Sequence, residues 1–312
     1  MISFIIPFVT VEEDKFLNLN DGFDITDSSA IVYSTIKTIK NINSLKCEKE
    51  IILVDNSHTW PNLDLPNLKV IKGWQAVPLE ELRHVPEFMN HFEIQDSLKQ
   101  KDSDNRMFDN FGCDTQWAAM AFHQGIQESK GDYIVLQHND TFYHGDRIDE
   151  LIEHMEKNKL EYVSADNKKI WISTYLLYRE QIDKYIKVFP TDIIRMSPEG
   201  GGFVQTQKIG FADAYFFVCK RNFFDNYNID WKYGDTNHGA TMYCLENNLK
   251  YLHLGPYHDN PNWDTGDVLH TYYYENQPFL THLKGGFSEQ KMSSKDHEFD
   301  FNNYLEELKN AK

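Results

Sequence analysis

The segment from Ala118 to Tyr143, AAMAFHQGIQESKGDYIVLQHNDTFY, constrains the fold of this chain more than any other. Apolar residues around its start, such as Trp117 and Ala121, have the spacing of a helix that lies on a sheet. Gly131 is expected to end that helix, and the apolar run YIVL that follows predicts a strand buried on both faces. The polar residues QHNDT then end the strand and place Asp140 beyond its carboxyl end, where open α/β sheets bind ligands.

Two earlier segments predict further strands of the same sheet. They are ISFIIPF, from Ile2 to Phe8, and IILVDNSHT, from Ile51 to Thr59. Between them, Ser28 to Ile42 has apolar residues at helical spacing. The predicted order is therefore strand, helix, strand, helix, strand, which is typical of an α/β fold.

In this order the segments resemble the family 2 glycosyltransferases. Those enzymes have a first strand with a proline, a second with a Val-Asp-Asp/Asn-Ser pattern, a helix ending in an Ala-Arg-Asn-x-Gly-Ile-like stretch, then Gly-x-Tyr-Ile and an acidic loop. The resemblance is strong over about the first half of the chain, and the order of the motifs carries it more than any single motif. It implies a GT-A fold, with a mixed, mostly parallel central sheet flanked by helices, over residues 1–260.

The chain departs from the family pattern at two places. Where the family often has Arg-Asn, this chain has Phe122 and His123. Where the family has Asp-x-Asp, it has His138, Asn139 and Asp140, so only the second acid is kept. Relatives that resemble rhamnosyltransferases have Asn-x-Asp-Thr here, which is similar to the HNDT of this chain.

The resemblance implies a nucleotide-diphosphate sugar as donor, with UDP as the first choice of nucleotide. In this interpretation Pro7 and Phe8 shape the base pocket and Asp55 contacts the base or the ribose. The residues expected to bind the donor are Pro7, Phe8, Asp55, Asn56, His123, His138 and Asn139.

A metal site is also implied, with Asp140 as a ligand of Mn²⁺ or Mg²⁺. His138 is the second expected ligand. A late histidine supplies a ligand in some GT-A enzymes, and His258, in the loop GPYHDNP, is the residue chosen for this role. His253, His270 and His282 are the other histidines of this region.

Two acids are candidates for the catalytic base, because the resemblance implies inversion by a single in-line displacement. Asp235 precedes a predicted helix from Thr236 to Asn248, and it falls at an acid of the family's Gly-Glu-Asp-x-Asp helix. An N-cap of that helix is an equally good interpretation of Asp235. Asp213, near the start of the predicted strand in Gly210 to Phe224, is the second candidate.

The net charge of the chain limits which partners it can bind. The chain has 312 residues and a formal net charge of −17, without the basic cluster that nucleic-acid binding requires. DNA and RNA are therefore excluded as partners. A diphosphate would also be repelled, by about 1 kcal/mol for each close charge pair in water and about 4 kcal/mol in a partly screened cleft. A divalent cation is expected to offset this repulsion.

Other features predict a protein of the cytoplasm. No apolar stretch reaches the roughly 20 residues of a membrane helix. The start of the chain reads as a strand and not as a signal peptide. The four cysteines have no paired spacing, which is typical of reduced thiols: Cys47, Cys113, Cys219 and Cys244.

Two segments are expected to add to the GT-A domain. Residues 72–110 are interpreted as an insertion that forms a lid or an acceptor wall. Residues 261–312 form a C-terminal segment with an acidic tail. Its part from His270 to Phe287 has too many aromatic residues for a free tail, and it is predicted to dock on the active-site face.

The sequence therefore predicts a metal-assisted, inverting hexosyltransferase-type enzyme that moves a sugar to a glycan, glycolipid or other hydroxyl acceptor, as in polysaccharide biosynthesis. Two alternatives stay open. A sugar-nucleotide nucleotidyltransferase shares this sheet, although the stretch from Phe8 to Asp14 lacks the Gly-rich basic loop of that class. A non-catalytic carbohydrate-binding derivative is the other, because His138 replaces the first acid.

Overall fold

The computed structural model describes residues 1–8, 28–73, 121–167, 169–172, 193–196, 202–205, 211–227, 238–255 and 269–283. The helices are α1 (Ser28–Ser44), α2 (whose described part is 121–128), α3 (Ile148–Asn158), α4 (Phe223–Asn226) and α5 (His238–Glu246). The strands are β1 (Ile2–Phe8), β2 (Lys49–Asp55), β3 (Leu68–Lys72), β4 (Tyr133–Gln137), β5 (Thr141–Tyr143), β6 (Tyr162–Asn167), β7 (Lys169–Ile172), β8 (Ile193–Met196), β9 (Gly202–Gln205), β10 (Phe211–Lys220), β11 (Tyr251–Leu254), β12 (Leu269–Tyr274) and β13 (Gln277–Leu283).

The centre of the described fold is a seven-stranded sheet with the order β11-β6-β10-β4-β1-β2-β3. Strand β10 is antiparallel to both of its neighbours, and the other pairs are parallel. The predicted mixed, mostly parallel sheet is therefore confirmed. The carboxyl ends of β1, β2, β4, β6 and β11 meet at one edge, together with the amino end of β10. This edge is the expected place for a ligand.

Two apolar layers cover the faces of the sheet. On one face, Ile36 and Ile39 of α1 pack in a cluster with Phe4. On the other face, Phe122 of α2 packs in a cluster with Ile134. Each layer needs alternate residues of the same strands, and for this reason β1, β2 and β4 are continuous apolar runs and not alternating ones. The prediction of a strand buried on both faces is confirmed for β4.

Strand β3 was not predicted, because its sequence LKVIK mixes charges with apolar residues. It pairs in parallel with β2 at the edge of the sheet, where Val70 is exposed. Edge strands often carry charged side chains, which weakens the apolar signal. Lys72 ends this strand, so the predicted insertion 72–110 begins at the sheet, and its residues 74–110 lie outside the described residues.

Gly131 lies where the chain passes closest to β1. Helix α2 ends at residue 128, three residues before the predicted end. The Gly131 N–H donates a hydrogen bond to Ser3 Oγ at 2.7 Å. A Cβ atom at Gly131 would lie 2.6 Å from the backbone nitrogen of Ser3. The glycine is therefore required by this close approach and not only by the end of a helix.

The hairpin β12–β13 extends the fold beyond the main sheet. Glu275 and Asn276 form its two-residue turn, with φ values of 50° and 60°, as a type I′ turn requires. Strand β13 then pairs with the short strand β5. Tyr272 and Leu280 of the hairpin are fully buried in the same apolar layer as Phe4. Residues 269–283 are thus part of the core.

The described cysteines are buried thiols. Cys47, Cys219 and Cys244 are free and buried, while Cys113 lies outside the described residues. Burial raises the pKa of Cys47 to about 11 and that of Cys244 to about 12. Both are therefore unreactive thiols at neutral pH. Within the described part of the chain, no helix has both the length and the apolar character to cross a membrane.

Candidate active site at the carboxyl edge of the sheet

The residues predicted to hold the nucleotide base lie at the ends of two paired strands. Phe8 at the end of β1 is the register partner of Asp55 at the end of β2. The Asn56 N–H donates a hydrogen bond to the Phe8 carbonyl oxygen at 2.8 Å. The Phe8 ring packs edge-to-face against Trp60, with ring centroids 5.1 Å apart. Phe8, Asp55 and Asn56 are thus one buried group with an aromatic wall, and Pro7 precedes Phe8 in β1.

The carboxylate of Asp55 organises the loop that follows β2. Its Oδ1 accepts hydrogen bonds from the Ser57 N–H at 3.2 Å and the Ser57 hydroxyl at 3.1 Å. Its Oδ2 accepts one from the Trp60 N–H at 2.8 Å. Only 5% of Asp55 is exposed, so these bonds satisfy a charge that is nearly removed from water. Contact with the base or the ribose remains a prediction for this residue.

Hydroxyl groups of α1 hold the loop that follows β4. Ser34 and Thr38 donate hydrogen bonds to the carbonyl oxygen of Asn139, at 3.0 and 2.8 Å. The Asn139 amide donates to Thr35 Oγ1 at 3.0 Å. The Asn139 side chain therefore faces α1 in this structure. These three hydroxyls were not predicted as site residues, because the apolar positions of α1 give the only periodic signal in its sequence.

His138, Asp140 and His282 form a compact cluster at this loop. Their ligand atoms all lie within 4.8 Å of one another. His282 Nε2 is 3.1 Å from Asp140 Oδ1, and the two residues are only 2% and 6% exposed. Asp140 Oδ1 is buried and accepts no hydrogen bond of regular geometry from any part of the chain that the structure describes. Two imidazoles and one carboxylate form a set of donors that fits a divalent metal ion.

Strand pairing brings His282 to this cluster. His282 in β13 is the register partner of Thr141, the first residue of β5. The Thr141 hydroxyl donates a hydrogen bond to the carbonyl oxygen of Tyr215 in β10, at 3.1 Å. The Tyr215 ring stacks on His282 with centroids 3.6 Å apart, and it meets His138 edge-on at 4.8 Å. Both imidazoles therefore pack against one tyrosine.

Of the other predicted site residues, the structure describes the side chain of His123 but not those of Asp213, Asp235 and His258. The His123 ring contacts the Gln127 amide on α2, with the two nitrogens 3.0 Å apart. The backbone of Asp213 lies in β10, near the end of the strand that meets the ligand edge. Asp235 and His258 lie outside the described residues, so their predicted roles remain predictions.

A family model described as Glycosyl transferase family 2 matches residues 94–227. This range contains β4, the loop with His138 and Asp140, and strand β10 with Tyr215. Over these residues the chain is similar to the family 2 glycosyltransferases. Its sheet agrees with the GT-A fold that the sequence predicted. The match favours the resemblance to glycosyltransferases over the nucleotidyltransferase alternative.

Solved glycosyltransferase structures are also similar to this chain. One is a mannosyltransferase from Pyrobaculum calidifontis in complex with GDP-Man and Mn²⁺, with 8% identity, 81% of this chain and 54% of that chain covered, and a TM-score of 0.43. Another is TarS of S. aureus in complex with UDP-GlcNAc, with 9% identity, coverages of 73% and 47%, and a TM-score of 0.33. The chain thus spans about half the length of each of them. No curated protein sequence matches it.

A second polar network of the protein involves β6 and β11 of the central sheet. The Tyr162 hydroxyl is 3.0 Å from His253 Nε2 and 2.8 Å from the Thr241 hydroxyl of α5. Thr241 in turn accepts a hydrogen bond from the Ala212 N–H at 2.9 Å. On its other side, His253 Nδ1 is 3.7 Å from the carboxylate of Asp166. The network connects α5 to strands β6, β10 and β11.

Burial dominates the protonation of His253. It lowers the pKa of this imidazole from 6.5 to about 4, and the Asp166 carboxylate at 3.7 Å is too far for a regular hydrogen bond that would offset the effect. His253 is therefore neutral at neutral pH, and its Nε2 can form a hydrogen bond with the Tyr162 hydroxyl.

This pKa predicts a loss of stability in mild acid. Above about pH 6.5 His253 is neutral in the folded and unfolded chain, so it adds no pH dependence. Between about pH 6.5 and 4 the unfolded chain binds a proton that the folded chain excludes. The free energy of unfolding is therefore expected to fall by about 2 kcal/mol between pH 6.5 and pH 5 through this residue. Urea unfolding of the wild type and His253→Gln at both pH values measures the difference.

The variant His154→Gln, on α3, is the matched control. Its free energy of unfolding is expected to fall between pH 6.5 and pH 5 as much as that of the wild type. In His253→Gln this decrease is expected to be smaller by about 2 kcal/mol. Equal slopes of unfolding free energy against pH for the wild type and His253→Gln would show that His253 is protonated in the folded protein.

Proposed function

We propose that this glycosyltransferase moves a sugar from a nucleotide-diphosphate donor, with UDP-sugars preferred, to a hydroxyl group of a glycan or glycolipid. A divalent cation held by His138, Asp140 and His282 assists the reaction. The observation that carries the proposal is the buried Asp140 carboxylate, which faces two imidazoles at the ligand edge of a family 2-like sheet. In this proposal the transfer belongs to polysaccharide biosynthesis.

The geometry of the cluster fits a cation. Two ligand atoms about 2.1 Å from one metal ion and at right angles to each other are about 3.0 Å apart. The separation of His282 Nε2 and Asp140 Oδ1 is 3.1 Å. Within the described structure, Asp140 Oδ1 also accepts no regular hydrogen bond. A bound cation would satisfy this buried oxygen. The residues present therefore fit a metal ion of this size.

The distance between the two loops of the site supports a nucleotide donor. Strand β1 lies between β2 and β4 in the sheet. Neighbouring strands are about 4.8 Å apart, so the loop after β2 and the loop after β4 are about 10 Å apart. This distance is comparable to the reach of a nucleoside diphosphate. The base would lie against Phe8 and Trp60, and the diphosphate would lie near Asp140.

Each group of the site has a separate part in the proposed reaction. When bound, the cation would act as a Lewis acid that stabilises charge on the departing diphosphate. The loop held by Asp55 would orient the base, and the hydroxyls of α1 would hold the turn that carries Asp140. The acceptor oxygen forms a bond to the anomeric carbon while the bond from that carbon to the diphosphate oxygen breaks. A carboxylate, Asp235 in this proposal and Asp213 as second candidate, takes the acceptor proton.

A thermal-shift panel of UDP, GDP, CDP and ADP, each with Mn²⁺ or with a chelator, tests the donor assignment. A nucleotide at 100 times its dissociation constant adds about 2.7 kcal/mol to the free energy of unfolding. UDP with Mn²⁺ is expected to give this shift, and Asp140→Ala is expected to lose it. A larger shift with GDP than with UDP would show that the donor carries guanine and not uracil. Equal shifts of the wild type and Asp140→Ala by UDP without metal would remove Asp140 from the donor site.

A further inference from the structure

We infer that the cluster of His138, Asp140 and His282 binds its cation without any nucleotide, and that it prefers Zn²⁺ and Mn²⁺ to Mg²⁺ and Ca²⁺. This inference rests on the proposed function for the position of the cation. It goes beyond that function in the order of binding, in the choice of metal and in the part played by the C-terminal hairpin.

The number and type of the donor atoms are the first argument. A Mg²⁺ ion that serves a phosphate substrate is held by one or two carboxylates, and waters and phosphate oxygens complete its shell. This cluster instead offers three protein side chains, two of them imidazoles. Imidazole nitrogen favours Zn²⁺ and other transition metals, whereas Mg²⁺ and Ca²⁺ favour oxygen ligands. Three protein ligands can also hold the ion before any phosphate arrives.

The rigidity of the ligands is the second argument. Asp140 follows Asn139, whose backbone oxygen accepts hydrogen bonds from Ser34 and Thr38 of α1. His282 is fixed by the β13–β5 ladder, in which its partner is the residue next to Asp140. The stacked Tyr215 ring limits the rotation of the His282 side chain. Little conformational entropy remains to be lost on binding, so the affinity of the free protein for the ion is high.

The charge of the site is the third argument for this order of binding. Imidazoles bind metals in the neutral form, so the only negative charge among the ligands of a bound ion is that of Asp140. A bound divalent cation would therefore give the ligand set a positive net charge, which attracts a diphosphate. The cation is therefore expected first and the nucleotide second.

The hairpin gains a role from this arrangement. His282 belongs to β13, whereas His138 and Asp140 belong to the loop between β4 and β5. A cation that binds all three ligands connects the C-terminal hairpin to the central sheet. It should therefore raise the midpoint temperature of unfolding of the whole protein in the absence of nucleotide.

The test measures binding of each metal ion alone to the purified metal-free protein, by calorimetry and thermal unfolding with the chlorides of Zn²⁺, Mn²⁺, Mg²⁺ and Ca²⁺. For Mn²⁺, loss of the spin-resonance signal of the free ion gives a second readout. We expect the dissociation constants of Zn²⁺ and Mn²⁺ to be at least about 10-fold lower than that of Mg²⁺. His282→Gln is expected to weaken Mn²⁺ binding by at least about 10-fold, and the control His154→Gln to leave it unchanged.

The wild-type measurements stand even if His282→Gln folds poorly, and His138→Gln, at a less buried position, gives a second variant. Mn²⁺ binding that requires UDP would overturn the inference and leave the proposed function intact. Equal Mn²⁺ affinity of the wild type, His282→Gln and His138→Gln would also overturn it, because the ion would then lie elsewhere. Mn²⁺ binding without nucleotide, lost in these variants, together with no response to any nucleotide would support the metal site and refute the proposed function.

Discussion

Asp140→Asn is expected to lower the rate of sugar transfer by about 1,000-fold at saturating donor. Asparagine has the same size as aspartate, so the packing of the loop after β4 is kept, while the charge that holds the cation is lost. Lewis-acid stabilisation of the leaving diphosphate is worth several kcal/mol, and about 4 kcal/mol corresponds to a factor of about 1,000 in rate. Release of nucleoside diphosphate in the presence of Mn²⁺ and an acceptor measures this rate.

Asp64→Asn provides the matched control, because Asp64 is an exposed carboxylate in the region after β2. It changes the net charge of the protein by the same amount and is expected to transfer sugar at the wild-type rate. A rate for Asp140→Asn within 10-fold of the wild type would remove Asp140 from the metal site. Far-UV circular dichroism and the midpoint temperature of unfolding would show that the variant is folded.

Asp235→Asn is expected to lower transfer by at least about 100-fold while the binding of nucleotide and cation is kept. A positioned general base contributes about 100-fold to 10,000-fold to the rate, and asparagine cannot accept the acceptor proton. In the sequence Asp235 comes shortly before His238, where helix α5 begins, and the proposed role assumes that the amino end of this helix keeps the carboxylate ionised. Steady-state rates with saturating donor, together with the UDP thermal shift, separate the loss of transfer from a loss of binding.

Asp213→Asn is the matched comparison, because it removes the second candidate carboxylate. If Asp213→Asn shows the larger loss and Asp235→Asn transfers normally, the base is Asp213. The product should have the anomeric configuration opposite to that of the donor, which proton NMR of the fresh product would show. Retention of configuration would refute the single displacement.

The elements that the sequence predicted well have a strong local signal. Strands β1, β2 and β4 are apolar runs, because they are buried on both faces of the sheet. The stretch from Asp146 to Met155 predicts an amphipathic helix by its apolar spacing, and helix α3 has its buried residues Ile148, Leu151 and Met155 at that spacing. Helix α5 ends at Glu246, and Asn248, the predicted last residue of this helix, has a left-handed φ of 53°, which is typical of a helix stop. In each case the residues that determine the element lie within a few positions of one another.

The composition of the candidate site was harder to predict, because its parts are distant in the sequence. His138 and Asp140 were predicted as metal ligands from their own loop, but His282 reaches them only through the pairing of β13 with β5. No local pattern specifies that pairing. The alternation of β13, which places His282 on the same face as the buried Leu280, was the one signal that His282 is an inward-facing residue. Sequence analysis chose His258 instead, on its loop position.

The most direct test of the account is donor turnover by the purified wild-type protein with and without a divalent cation. UDP-sugars, supplied one at a time with Mn²⁺ and a mixture of glycan acceptors, should release UDP, and a chelator should stop the release. Addition of Mn²⁺ should restore it in the wild type and not in Asp140→Asn. Release that continues at the same rate in the chelator, or that Asp140→Asn shares with the wild type, would contradict metal-assisted sugar transfer at this site.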